Sequence, residues 1–118
     1  MADITLGALA IDCPNPLELA TFYSKLLGLE MNGDDAILTP EGREIWFQEV
    51  ENYRAPTWPT QERGQQMHFD FTVVDLGTAQ AYAIDLGAKL VDDGQDSFHV
   101  FLDPAGHPFC LCIQKDDE

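Results

Sequence analysis

Residues 5–12 alternate small or apolar side chains, a pattern that predicts a strand. Cys13-Pro14-Asn15-Pro16 breaks the pattern. Asn15 can cap a helix and Pro16 can occupy its first position, where a missing N–H costs nothing. Leu17, Ala20, Phe22, Tyr23, Leu26 and Leu27 then follow at helical spacing, and Gly28 ends the run. Three short segments come next, at 30–32, 36–38 and 44–50, separated by the turn sequences Gly33-Asp34-Asp35 and Pro40-Glu41-Gly42. The predicted order is β-α-β-β-β.

The second half repeats this plan. Residues 67–74 alternate cleanly as a strand. Asp75 can cap a helix over 76–86 that Gly87 ends. Strands are predicted at 89–91, 98–102 and 109–114, with turns at Asp92-Asp93-Gly94 and Asp103-Pro104-Ala105-Gly106. Asn15 falls on Asp75 and Phe22 on Tyr82, sixty positions apart, and Leu27-Gly28 falls on Leu86-Gly87. Thr39-Pro40-Glu41-Gly42 falls on Asp103-Pro104-Ala105-Gly106. A repeat in which cap, helix face and turn all coincide predicts two copies of one unit, modules at 1–50 and 67–118. The stretch 51–66 reads as a linker rich in Pro, Gln and charge, carrying Tyr53 and Trp58.

Composition narrows the function. The 118 residues carry 21 Asp+Glu against 6 Lys+Arg, a formal net charge of -15. That charge repels a phosphate backbone and an anionic membrane surface, so neither nucleic acid nor membrane is an expected partner. It attracts cations, or serves solubility and a salt-adapted surface. No apolar run reaches the ~18 residues of a membrane span, and residues 1–7 do not have the form of a signal peptide. Three cysteines without zinc-type spacing argue against a disulfide scaffold and suggest a reducing cytoplasm.

The β-α-β-β-β repeat, with Phe22-Tyr23-Ser24-Lys25-Leu26-Leu27-Gly28 in the first helix and Asp103-Pro104-Ala105-Gly106 before the last strand, resembles the glyoxalase / bleomycin-resistance / extradiol-dioxygenase group, the vicinal oxygen chelate (VOC) superfamily. Residues 53–70 and 101–110 resemble its small glyoxalase-like branch. The resemblance implies an α+β fold: two βαβββ modules, eight strands in all, forming an open cupped mixed sheet with helices on the convex side. It also implies a homodimer.

Metal-using members of the superfamily bind a divalent ion through His, Gln or Glu on the first and last strand of each module. Seven residues before Asp75 stands His68, and seven before Asn15 stands Ala8, which has no donor. Four residues after Gly106 stands Cys110, and four after Gly42 stands Trp46, with Gln48 two further on the same strand face. A one-residue bulge would leave Gln48 available. The four positions therefore give too few donors for a metal site, and no cofactor is expected.

Strand parity places Trp46, Gln48, His68, Asp70, Cys110 and Cys112 on the concave face, with Ala8 and Ala10 leaving room for a ligand. His68 can serve as ligand, general base or plain pocket contact; Cys110 as nucleophile or small buried hydrophobe; Asp12 and Asp70 as contacts for a cationic ligand or as solvated carboxylates. Trp58 and Tyr53 can form a lid, pack the linker or meet a second copy. His99, alternating with Phe98 and Val100, is expected to face away from the helix. Two functions follow. One is a metal-independent protein binding a small molecule through His68, Asp70, Trp46, Gln48, Cys110 and Trp58. The other is a metal-dependent lyase, isomerase or dioxygenase-type enzyme on a vicinal-oxygen substrate.

Overall fold

In the first half, a central strand is paired in parallel on one side and antiparallel on the other. The computed structural model describes residues 3, 7–56 and 68–113. β1 (Ala8–Cys13) runs into α1 (Pro16–Leu27), followed by β2 (Ala36–Leu38) and β3 (Glu44–Glu49). The sheet order is β1-β3-β2, with β3 parallel to β1 and antiparallel to β2. The second half holds β4 (Phe69–Val73), α2 (Leu76–Leu86), β5 (Lys89–Asp92), β6 (Phe98–Leu102) and β7 (Pro108–Ile113), in the order β4-β7-β6-β5. β4 and β7 are parallel, and the other neighbours are antiparallel. The architecture is α+β, two βαβββ-like modules, and contacts divide the chain between Tyr53 and Arg54.

The repeat holds at the level of single hydrogen bonds. Asn15 Oδ1 accepts from the Glu18 N–H at 3.2 Å, and Asp75 Oδ1 accepts from the Thr78 N–H at 3.2 Å, so both helices start on a side-chain cap. Both end on a left-handed glycine, Gly28 and Gly87. In the turn before β3, Thr39 N–H donates to Arg43 O at 2.8 Å and Gly42 N–H to Thr39 O at 2.9 Å. In the turn before β7, Asp103 N–H donates to His107 O at 2.8 Å and Gly106 N–H to Asp103 O at 2.8 Å. Gly42 and Gly106 sit at φ 86° and 89°, a region open to few side chains. The first side chain of each turn also closes it: Thr39 Oγ1 accepts from Arg43 N–H, and Asp103 Oδ1 from Ala105 N–H and His107 N–H.

Each module buries an aromatic layer on one side of its sheet. Tyr23 of α1 stacks on Phe47 of β3, with ring centroids 5.7 Å apart and planes 4° apart. Leu19, Ala20, Phe22 and Ile37 are buried with them. In the second module Phe101 stacks on Phe109 at 5.4 Å, and Phe71 meets Phe109 at 5.7 Å. Burying such rings is worth about 1.5–3 kcal/mol each before the entropy of ordering them is counted.

Two expectations change. The segment 30–32 does not form a strand of its own: it contributes one isolated bridge, Met31 to Ile37, flanked by two hydrogen bonds to β2. The described residues therefore hold seven strands, three and four, where the resemblance implied eight. The Gly33-Asp34-Asp35 turn follows too soon for a longer ladder. His99 faces the helix, not away from it. It pairs with Leu111, Phe101 pairs with Phe109, and His99 Nδ1 lies 2.6 Å from Gln80 Oε1 on α2. In Phe98-His99-Val100-Phe101-Leu102 both faces carry apolar groups, so pairing with β7 decides the side, and the buried Phe101 takes His99 with it.

Candidate functional site on the second sheet

Directly paired residues share a sheet face, so register fixes the composition of each face. In the second module Asp70 pairs with Cys110, Thr72 with Cys112, Val100 with Cys110 and Phe98 with Cys112. That face is opposite the one carrying Phe109, Leu111 and Phe101. His68, one residue before β4, keeps the parity of Asp70. His68 Nε2 lies 3.2 Å from Asp70 Oδ1, with the two side chains 36% and 64% exposed. Donor atoms of His68, Asp70 and Cys110 all lie within 4.8 Å of one another, and among the described residues this is the group of three such side chains.

The electrostatics set the state of the sulfur. Burial pushes the Cys110 thiol up to about 12 from 9.0. The Asp70 carboxylate adds to this by opposing the thiolate charge and accepting from the thiol, and Cys112 adds a smaller push. Burial and Asp70 also raise Cys112. At neutral pH Cys110 is therefore a thiol. A nucleophilic cysteine reacts as thiolate, and the upward shift works against that role.

In the first module Ala8, Ala10 and Asp12 pair with Glu44, Trp46 and Gln48. This face carries Trp46, half exposed at 49%. The indole N–H donates to Glu44 Oε1 at 2.6 Å, and Glu44 Oε2 accepts from the Asn32 side-chain amide. Sequence reasoning did not include Glu44 and Asn32. The available signal was that Glu44 stands two residues before Trp46, hence on the same face. Across the strands Trp46 is flanked by Ala10 and Ala36.

Of the expected site residues, His68, Asp70 and Cys110 come together on the second sheet, and Trp46 and Gln48 share a face of the first. Trp58 lies outside the described residues. Register also settles the question between Trp46 and Gln48. Ala10 opposite Trp46 matches Asp70 opposite Cys110, and the β1–β3 pairing runs without a bulge. Trp46, not Gln48, thus occupies the place of Cys110. The four metal positions implied by the family resemblance are Ala8, Trp46, His68 and Cys110, and the first two offer no suitable donor. The four-donor set does not fit this chain. His68, Asp70 and Cys110 offer nitrogen, oxygen and sulfur donor atoms from one sheet.

Comparison with known proteins agrees with this architecture. A family model described as a glyoxalase-like domain matches residues 8–112. Among solved structures, a glyoxalase/bleomycin resistance protein/dioxygenase family enzyme from Burkholderia phytofirmans PsJN aligns at a TM-score of 0.69 with 18% identity, covering 91% of this chain and 96% of that one. TnmS3, an antibiotic binding protein from Streptomyces sp. CB03234, aligns at 0.63 with 13% identity, covering 98% and 99%. A glyoxalase/bleomycin resistance protein from Albidiferax ferrireducens T118 aligns at 0.63 with 14% identity, covering 93% and 98%. No curated protein sequence matches the chain. At these identities the structural likeness speaks for the fold. No helix among the described residues is long and apolar enough to cross a membrane.

Proposed function

Since the chain belongs to the glyoxalase-like domain family, we propose that it is a small-molecule-binding member that holds its ligand on the open face of the second sheet. The observation that carries this reading is the convergence of His68, Asp70 and Cys110 there. A few polar groups beside apolar ones are the usual makeup of a ligand site, and the partly exposed Phe98 supplies an apolar group on this face. The exposed Asp70 carboxylate and the net charge of -15 favour a cationic or hydrogen-bond-donating ligand. His68 offers a hydrogen bond to a polar substituent. Trp46 and Gln48 form an aromatic and amide surface on the first sheet, suited to a planar group. That one structural neighbour is an antibiotic binding protein is consistent with this assignment.

The test is a thermal-shift screen of cationic and neutral aromatic compounds against protein kept free of metal by a chelator. A ligand at a hundred times its Kd stabilises the native state by about 2.7 kcal/mol, enough to raise Tm by several degrees. The expected hit loses its shift in Asp70→Asn and in His68→Ala. A screen without hits, or hits indifferent to both substitutions, would refute the assignment. The second reading, a metal-dependent lyase, isomerase or dioxygenase-type enzyme, draws on the donor chemistry of the same three side chains. It predicts turnover of a vicinal-oxygen substrate that stops on chelation.

A further inference from the structure

We infer that Asn32 is a site of spontaneous deamidation, and that its conversion releases the Trp46 side chain from a hydrogen-bonded tether. The inference concerns the first module alone and requires no ligand.

The chain has three asparagines, and the residue after each separates them. Deamidation requires the backbone nitrogen of that next residue to attack the side-chain Cγ. Asn15 precedes Pro16, which has no N–H to give up. Asn52 precedes Tyr53, a bulky residue that hinders attack by its own nitrogen. Asn32 precedes Gly33. Gly33 lies at φ 76°, and a Cβ built there would meet nothing beyond its chain neighbours nearer than Asp35 Oδ1 at 4.0 Å, so the approach is open. Asn32 is itself exposed, and water and hydroxide reach it. The Gly33 nitrogen gives its proton to hydroxide and bonds to Asn32 Cγ. The Cγ–Nδ2 bond breaks, and the amide nitrogen leaves as ammonia with a proton from water. Water then opens the cyclic imide at Cγ, giving aspartate, or at the backbone carbonyl, giving isoaspartate. No oxidant or reductant takes part.

The amide that is lost anchors a relay to the open face of the sheet. Asn32 Nδ2 donates to Glu44 Oε2, and Glu44 Oε1 accepts from the Trp46 indole N–H at 2.6 Å. A carboxylate at position 32 has no proton to donate at neutral pH, and its charge opposes that of Glu44. Isoaspartate makes a second change, because it lengthens the main chain by a methylene. It does so where Asn32 N–H donates to Ala36 O at 2.8 Å, and Ala36 pairs directly with Trp46. Either product turns Glu44 away from position 32 and frees an indole that is 49% exposed and flanked across the strands by Ala10 and Ala36. The aromatic surface of the first sheet is therefore held by a bond of limited lifetime.

The experiment incubates the folded full chain at pH 8 and 37 °C and compares its tryptic peptides with those of an unincubated sample by mass spectrometry. The expected result is conversion of the peptide 26–43, which carries Asn32, at a rate that rises with pH, while the peptides carrying Asn15 and Asn52 keep their amides over the same interval. The tether is read in a Trp58→Phe background, where Trp46 is the remaining tryptophan. Asn32→Asp, which reproduces the aspartyl product, should add a fast component to the time-resolved anisotropy decay of Trp46 while circular dichroism stays that of the parent. Combining it with Glu44→Gln restores the relay with its polarity reversed: the amide at position 44 donates to the new carboxylate, and its oxygen accepts from the indole. The double variant should lose the fast component again, an outcome that a disturbed turn alone does not produce. An amide at position 32 that survives the incubation, an anisotropy decay unchanged by Asn32→Asp, or a double variant as mobile as the single one would each overturn the inference. None of these readouts involves a ligand, so the screen described above and this proposal fail independently.

Discussion

Replacing Asp103 by alanine removes a carboxylate that organises the turn into β7. Asp103 is 4% exposed, and its Oδ1 accepts from Ala105 N–H at 2.8 Å and His107 N–H at 3.0 Å. Hydrogen bonds to a charged acceptor are worth about 1.5–3 kcal/mol each, which gives about 3–6 kcal/mol for the pair. His107 is only half-buried, and water recovers part of its bond, so the expected loss is about 3 kcal/mol, or about 12 °C in Tm for a chain of this size. Thr39 occupies the same place in the first module but accepts one bond, from the exposed Arg43 at 3.1 Å. Thr39→Ala should cost no more than about 1 kcal/mol. Asp103→Asn keeps an acceptor oxygen without the charge and should fall between. Urea unfolding of the three variants at constant m-value is the assay. If Asp103→Ala costs no more than Thr39→Ala, the carboxylate does not hold the turn and the argument fails. The turn also affects the site, because it sets where β7 enters the sheet. A slip of one residue would bring Phe109 or Leu111 opposite Asp70 in place of Cys110.

Because folded Cys110 keeps its proton up to about 12 while the unfolded thiol ionises near 9.0, its contribution to stability is complete below pH 9 and declines as pH rises towards 12; Cys110→Ala should flatten that part of a stability–pH curve. Asp70→Asn removes one cause of the upward shift, so Cys110 alkylation by iodoacetamide at pH 8.5, read by mass spectrometry, should be faster than in the parent; an unchanged rate would contradict the proposed thiol–carboxylate contact. Gly106→Ala places a methyl 2.7 Å from Ala55 Cβ at φ 89° and should cost at least about 2 kcal/mol in urea unfolding. The net charge of -15 repels itself, so Tm should rise by several degrees from low salt to molar NaCl, and a flat response would show that the acidic groups are already offset.

Local chemistry made most of the fold legible before any coordinates. Asn15, Asp75, Gly28 and Gly87 each act within a few residues, so spacing alone marks where the helices begin and end. The turns at Thr39 and Asp103 are local in the same way. What sequence could not reveal depends on partners far along the chain. The side taken by His99 follows from β6 pairing with β7. Only one residue of 30–32 bridges because the following turn is tight. The site behaves likewise: parity relates His68 to Asp70 and Cys110 to Cys112 within their own strands, but only the parallel register of β4 with β7 shows Asp70 opposite Cys110. The tether on Trp46 combines a near neighbour, Glu44, with Asn32, which no periodicity relates to it.

The two halves share caps, turns and an aromatic layer, yet differ in what their uncovered sides display: alanines around an indole in one, a nitrogen–oxygen–sulfur trio in the other. The stabilising parts sit at the ends of the elements and beneath the sheets, apart from those display positions. Recognition chemistry can therefore be rewritten at the display positions of either half without touching the caps, turns or aromatic layer that hold that half together.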